Sequence, residues 1–171
     1  MNYEIKHVDI DNVDIYTKVN IQAWTESYKN IINPEFIKEL NENVEYYVEK
    51  SRKKYEQGEG NKNSYIFYYE GEPVGMSSIC ASRLEEYPDS GELGSIYFLD
   101  KVKGKGLGKI FFEFQVENLR KLGYKDMIIG CLKDNIHANG FYKHMGDELV
   151  NERVITIGEQ NLPENIYYKK I

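Results

Sequence analysis

The chain has 171 residues, of which 41% are hydrophobic, so its size and composition favour a folded domain with its own core over a disordered chain. Its formal net charge of −6 argues against nucleic acid as a partner, because nucleic-acid binding requires a basic face. No apolar run approaches the roughly 20 residues of a membrane span, so we expect one domain over residues 1–171 without a membrane partner.

The first part of the chain contains one predicted strand followed by three predicted helices. The strand covers residues 3–8, and the first helix covers residues 11–30 with Asp11 or Asn12 as its cap. Pro34 suits the first turn of a second helix, and residues 43–57 form a third. A loop over residues 58–63 follows.

From residue 64 the hydrophobic pattern changes to the alternation that is typical of strands, with two further helices between them. The predicted elements are a hairpin of residues 64–70 and 74–84 around a turn at 71–73, a strand at 91–99, a helix from 107 that stops at Gly123, a buried strand at 126–132, a short helix at 135–144, and closing strands at 148–157 and 165–171. The strand–helix–strand unit at 91–132 predicts a parallel crossover. The fold class is therefore α/β with a mixed sheet.

The segment Lys103-Gly104-Lys105-Gly106-Leu107-Gly108-Lys109 joins a predicted strand to a predicted helix. Glycine lets the backbone approach a ligand, and the first N–H groups of a helix have no internal partner and lie at its positive end. The segment predicts a site for phosphate or pyrophosphate. It is not a P-loop, since Ile110 replaces the required Ser or Thr, and its spacing is not that of the dinucleotide fingerprint. Glycines that only shape a turn are the alternative.

A second motif follows the predicted buried strand and consists of Asn135, Ala138, Asn139, Phe141, Tyr142 and Gly146. Each member alone has a structural explanation, since asparagine caps helices and aromatic side chains fill cores. The two motifs occur in order and about 30 residues apart, as a βαβ unit requires. This pairing favours a shared site.

Together the motifs resemble those of the GCN5-related N-acetyltransferase superfamily. Residues 103–108 are similar to its Arg/Gln-x-x-Gly-x-Gly/Ala motif, and residues 135–146 to its Asn-x-x-Ala-x-x-Phe-Tyr-x-x-x-Gly-Phe segment. The resemblance is strongest over residues 64–150. It implies the acyl-CoA N-acyltransferase fold, a twisted mixed sheet of about seven strands flanked by helices. Residues 23–35 bear a weaker similarity to bacterial polyamine (spermine/spermidine) acetyltransferases.

Three positions depart from the family pattern. Lys103 keeps the charge of the usual arginine but loses its planar donor array. Asp100 stands where proline is frequent, and Asp147 stands where an aromatic residue often follows the glycine.

The resemblance implies acetyl-CoA as co-substrate and no metal. The pyrophosphate would lie on main-chain N–H groups of residues 103–109, and the pantetheine arm would pair with the backbone near Phe98 between two diverging strands. The implied cofactor-binding residues are Phe98, Lys103, Gly104, Lys105, Gly106, Gly108, Lys109, Asn135, Asn139 and Tyr142.

The implied reaction is direct acetyl transfer to a primary amine in a ternary complex. Tyr142 matches the family's general acid, which protonates the leaving thiolate. An alkylamine has a pKa near about 10.4 and must lose a proton before it attacks. Glu92 is the candidate base, acting through water, and a glutamate with only a surface role is the alternative. Glu26 and Tyr28 are candidates for substrate binding.

The acidic chain favours a small cationic amine as the acceptor. A non-catalytic acyl-CoA-binding sensor or partner module is the alternative function, and a purely structural α/β domain is a third. Cys80 and Cys131 match no zinc spacing, and two reduced thiols without an apolar signal core predict a cytoplasmic protein. We expect a monomer or a homodimer joined through the final strands.

Overall fold

The computed structural model describes residues 2–171, and this range contains seven β-strands and five α-helices. The strands are β1 (Tyr3–His7), β2 (Ser64–Tyr69), β3 (Glu72–Ala81), β4 (Gly91–Phe98), β5 (Asp126–Leu132), β6 (Glu148–Ile157) and β7 (Gln160–Lys170). The helices are α1 (Val13–Tyr28), α2 (Pro34–Glu42), α3 (Val44–Glu56), α4 (Leu107–Lys121) and α5 (Ile136–His144).

All seven strands form one sheet in the order β1-β2-β3-β4-β5-β7-β6. The β4–β5 pair is parallel and is joined by α4, whereas the other neighbouring strands are antiparallel. The predicted mixed sheet and the predicted crossover are therefore confirmed.

Helices cover both faces of the sheet. On one face, α4 and α5 bury Phe112 and Tyr142 against Met127 and Tyr167 of the sheet. On the other face, the helices α1 to α3 cover the strands; Val13 of α1, for example, packs against Ile66 of β2. Each central strand is thus buried on both sides, which explains the nearly continuous apolar run of β5.

Three local predictions differ from the structure. The first hairpin turns at Glu70 and Gly71, with φ angles of 53° and 81°, rather than at residues 71–73. These positive values are those of a tight two-residue hairpin turn, so Pro73 lies within β3 instead. Asn12 precedes α1 but does not cap it, because its side-chain oxygen accepts from Asp9 N–H at 3.0 Å. The last strand begins at Gln160 rather than at residue 165.

Candidate active site

The strands β4 and β5 are paired at one end only. Gly91 faces Met127 and Glu92 faces Ile128, and no further pair joins these strands within residues 2–171. A bulge accompanies the separation, because β4 has an extra residue, Gly94, relative to β3. The predicted divergence of two strands is confirmed, and we call the space between them the β4–β5 gap.

The main chain of Phe98 is directed into this gap. The next residue, Leu99, donates its N–H to Val74 O in β3 at 2.9 Å. Because successive residues of a strand point their N–H and C=O groups to opposite sides, those of Phe98 point away from β3. A linear ligand with amide groups can therefore pair with β4 as an additional strand would.

The glycine turn ends beside this gap and forms a concave row of N–H groups. Gly104 and Gly106 have φ angles of 79° and 78°, which other residues rarely adopt. None of the main-chain N–H groups from Gly104 to Lys109 donates to an acceptor within residues 2–171. Six free donors at the start of α4 suit the oxygens of a pyrophosphate. The turn therefore fits the predicted ligand.

The lysines of the turn surround this row without entering it. Lys103 Nζ lies 2.6 Å from Asp100 Oδ1, and this hydrogen bond is the main cause that lowers the pKa of Asp100. Lys109 forms a long ion pair with Glu113 at 3.8 Å, and Lys105 Nζ lies 5.9 Å from the centre of the Tyr69 ring. Exposed pairs of this kind are weak, so the lysine heads are free to turn towards an anion.

The second motif meets the first across two helix ends. A side-chain carbon added to Gly108 would lie 3.5 Å from the ring of Phe141, so α5 contacts the start of α4. Tyr142, the next residue, is 7% exposed, and its hydroxyl has no hydrogen-bond partner within the described range. Burial raises the pKa of Tyr142 well above its ordinary value. The phenol therefore keeps its proton at neutral pH, as a proton donor must.

The two asparagines of the second motif have different roles. Asn135 caps α5, since its Oδ1 accepts from Ala138 N–H at 3.2 Å. Asn139 is buried, and its Nδ2 donates to Leu132 O at 2.9 Å while its Oδ1 accepts from Tyr167 Oη at 2.7 Å. Its amide also bonds to Lys133, Asn135 and Asn165. The amide of Asn139 is fully used in joining α5 to the sheet, and a contact of this residue with the cofactor stays a prediction.

The two candidates for substrate binding lie on the α1 side of the sheet. Tyr28 is buried, and its hydroxyl is 2.9 Å from that of Tyr97 in β4. Burial, with a smaller effect from the charge of Glu164, raises the pKa of Tyr28 to about 12. Glu26 instead connects α1 to the turn after β4, because its Oε2 accepts from Asp100 N–H at 2.6 Å and its Oε1 from Gln22. Both oxygens of Glu26 therefore accept hydrogen bonds within the protein, and its contact with the substrate stays a prediction.

Glu92 lies at the closed end of the gap, on the last paired position of β4. The residue is 5% exposed, and within the described residues its side chain accepts hydrogen bonds from one neighbour, Arg83. Arg83 donates its main-chain N–H to Oε2 at 2.9 Å, and its Nε and Nη2 donate to Oε1. The carboxylate is held in one orientation by an arginine whose side chain is 69% exposed.

A second buried glutamate, Glu164 of β7, lies on the same face of the sheet. Its Oε2 accepts from Arg153 Nε at 2.5 Å. Its Oε1 would lie 2.5 Å from a side-chain carbon added to Gly130 of β5, so the carboxylate rests directly on the backbone of that strand. Gly130 is two positions beyond the last β4–β5 pair and therefore borders the gap.

A sequence profile of the Acetyltransferase (GNAT) family matches residues 25–147, which include both motifs and the gap between them. The chain belongs to the GNAT family of acetyltransferases. The recognition made from the two motifs is confirmed, and so is the predicted GNAT fold.

Relatives of the chain include two uncharacterized N-acetyltransferases. The chain is 32% identical to YjgM of Escherichia coli strain K12 over 87 residues, which are 51% of the chain and 52% of YjgM, about half the length of that relative. It is 24% identical to YuaI of Bacillus subtilis strain 168 over 161 residues, covering 94% of the chain and 88% of YuaI.

A similar solved structure is that of the PaiA N-acetyltransferase from Thermoplasma acidophilum in complex with coenzyme A. Its TM-score is 0.76 at 18% identity, and the alignment covers 100% of both chains. At this identity the likeness supports the GNAT fold.

Sequence reasoning missed two buried carboxylates around the GNAT site. Glu164 precedes the range predicted for the last strand, and the one signal for it was Gly130, a glycine within a buried strand that marks a close approach. Asp147, known only as a departure from the family pattern, is 6% exposed and has no hydrogen-bond partner on either oxygen within the described residues.

Residues 2–171 contain no group of three His, Cys, Asp or Glu side chains that would hold a metal ion, and no helix there is long and apolar enough to cross a bilayer.

Proposed function

We propose that the protein is an acetyl-CoA-dependent N-acetyltransferase that acetylates a small primary amine, a cation in neutral solution. The observation that carries the proposal is the row of six free N–H groups at residues 104–109, which ends beside the β4–β5 gap. This combination suits a ligand with a pyrophosphate at one end and amide groups along its length.

Acetyl-CoA, when bound, supplies an activated acetyl thioester. The N–H groups of residues 104–109 hold its pyrophosphate, with Lys103, Lys105 and Lys109 nearby. The main chain of Phe98 would pair with the pantetheine arm, and a main-chain N–H near Phe98 would stabilise the carbonyl oxygen of the thioester as it gains negative charge. Asn135, the cap at the start of α5, is a further residue that we propose to contact acetyl-CoA.

Two side chains move protons in this proposal. The Tyr142 hydroxyl, which lacks a protein partner in the described range, donates its proton to the leaving sulfur. Glu92 accepts the proton of the amine through water, since the Arg83 donors fix its carboxylate at the closed end of the gap. Tyr28 forms the wall of the acceptor side.

The remaining expectations follow from the same residues. Residues 1–171 act as one catalytic domain, and a small-molecule amine is the partner. Two free thiols, Cys80 and Cys131, suit a cytoplasmic location. A homodimer, where one forms, would use β6, because this strand lies at the edge of the sheet and exposes Leu149 and Val154.

The test is a panel of polyamines, aminoglycosides, amino acids and peptides with free N-termini, each mixed with acetyl-CoA and followed by release of free thiol. Transfer to at least one amine above the rate without amine is expected, with the acetylated product identified by mass. CoA binding by calorimetry together with no transfer would instead favour a non-catalytic sensor. No CoA binding would refute the site itself.

A further inference from the structure

Glu92 and Glu164 both lie on the face of the sheet that α1 covers. They differ in how many of their carboxylate oxygens accept hydrogen bonds. Both oxygens of Glu92 accept hydrogen bonds from Arg83. Glu164 has one occupied oxygen, Oε2, which accepts from Arg153, whereas Oε1 has no donor within residues 2–171. Glu164 is 8% exposed, but Oε1 is not fully buried, so this oxygen can accept a hydrogen bond from a ligand.

The free oxygen lies over β5, the strand that borders the β4–β5 gap. Glu164 is paired with Leu132 of β5, and its Oε1 lies against the Cα of Gly130. Gly130 itself is exposed, although its neighbours Ile129 and Cys131 are buried. The backbone of β5 is therefore open to solvent beside the Glu164 carboxylate.

We propose that Glu164 binds the ammonium group of the acceptor and holds its nitrogen at the gap. This inference rests on the proposed function, because it assumes that a primary amine enters the gap from the α1 side. It assigns to the protein an acceptor subsite that consists of Glu164 Oε1 over the bare backbone of Gly130.

The arrangement selects for a cation with N–H donors. A carboxylate with one free oxygen accepts a charge-assisted hydrogen bond from an ammonium group, which is stronger than a bond between neutral groups. Arg153 keeps Oε2 in place, so Glu164 enters the interaction already oriented. The absence of a side chain at residue 130 makes room for this carboxylate beside the backbone of β5.

Glu164 binds the acceptor, while Glu92 takes up its proton. The two assignments differ in kinetics: loss of the binding residue raises the KM for the amine, whereas loss of the base lowers kcat.

The test uses the most active amine of the panel with three variants. Glu164→Gln keeps the shape of the side chain and removes its charge, and Gly130→Ala displaces the carboxylate without altering it. Both should raise the KM for the amine roughly 10- to 100-fold and leave the KM for acetyl-CoA within about twofold. Glu152→Gln, which removes an exposed carboxylate of the same hairpin, is the control and should match the wild type. An unchanged amine KM in Glu164→Gln, or a fall in kcat alone, would overturn the assignment.

A binding measurement decides the assignment independently of turnover. n-Butylammonium chloride is titrated into the CoA-bound, ¹⁵N-labelled protein, with n-pentanol as the uncharged comparison. Saturable shifts of the Gly130 and Leu132 amides are expected with n-butylammonium, and their loss in Glu164→Gln would support the subsite. Equal shifts with n-pentanol, equal shifts in the variant, or no shifts in the wild type would overturn it. Absence of transfer to every amine by the wild type would refute the proposed function, whereas the titration alone decides the subsite.

Discussion

Asp147 is buried without a hydrogen-bond partner on either oxygen, so replacing its charge should stabilise the protein. The residue is 6% exposed, and the nearby cation of Lys169 only partly offsets its loss of water. Burial raises the pKa of Asp147 from 3.8 to about 6. Asp147→Asn keeps the size of the side chain and removes the charge.

The size of the effect follows from that shift in pKa. A rise from 3.8 to about 6 is about two pH units, and each unit corresponds to about 1.4 kcal/mol, so the upper limit is about 3 kcal/mol. An unpartnered amide in the same place also has a cost, so we expect a gain of between about 1 and 3 kcal/mol at pH 7.5.

The sign of the pH dependence is fixed by the same two pKa values. Between pH 3.8 and about 6 the folded protein binds the proton of Asp147 while the unfolded chain has released it. The contribution of Asp147 to the free energy of unfolding therefore falls as the pH rises through this window, and asparagine at this position makes no such pH-dependent contribution. The advantage of the variant should be full above about pH 6 and small near pH 4.

Urea unfolding at pH 4.5, 6 and 7.5 measures this difference. The single tryptophan, Trp24, packs 4.9 Å from the ring of Tyr28 and reports loss of tertiary structure by fluorescence. Asp89→Asn, at an exposed aspartate of the loop before β4, is the control and should change little at any pH. An Asp147→Asn variant that is less stable than the wild type at pH 7.5 would refute the reasoning. So would a gain in the free energy of unfolding that is the same at all three pH values.

Three further predictions concern the proposed reaction. Tyr142→Phe should lower kcat about 100-fold while calorimetry finds CoA affinity within about threefold, and an unchanged kcat would remove the acid role. Gly106→Glu should abolish CoA binding, because φ is 78° at this position and a negative charge would face the pyrophosphate; Gly123→Glu, at a φ of 95° beyond the opposite end of α4, should leave CoA binding intact. Glu92→Gln should lower kcat roughly 10- to 100-fold with little change in the KM for the amine, whereas a surface glutamate would show no loss.

Features that depend on the main chain could be predicted from the sequence. The order of strands and helices follows from hydrophobic periodicity. The glycine turn could be predicted because closely spaced glycines mark the few backbone conformations that require glycine. The end of α4 at Gly123, with a φ of 95°, is a further example. Such signals are local, and the residues that carry them are adjacent in the chain.

The roles of polar side chains were harder to predict because their partners are distant in sequence. Glu26 bonds to the main chain of Asp100, 74 residues away, and the amide of Asn139 bonds to Asn165 and Tyr167 on β7. No periodicity or motif reports these pairings. A glutamate or asparagine next to a motif can be a ligand or a brace, and tertiary contacts decide which.

Gly106 and Gly130 illustrate this difference within one residue type. Gly106 is required for its conformation, since its φ is 78° and an added side-chain carbon would contact nothing. Gly130 has an ordinary strand conformation, but an added carbon would collide with Glu164. Alanine should therefore strain the backbone at Gly106, whereas at Gly130 it should displace a carboxylate. The requirement for glycine at position 106 can be recognised from the neighbouring residues of the chain. The requirement at position 130 arises from the pairing of β5 with β7.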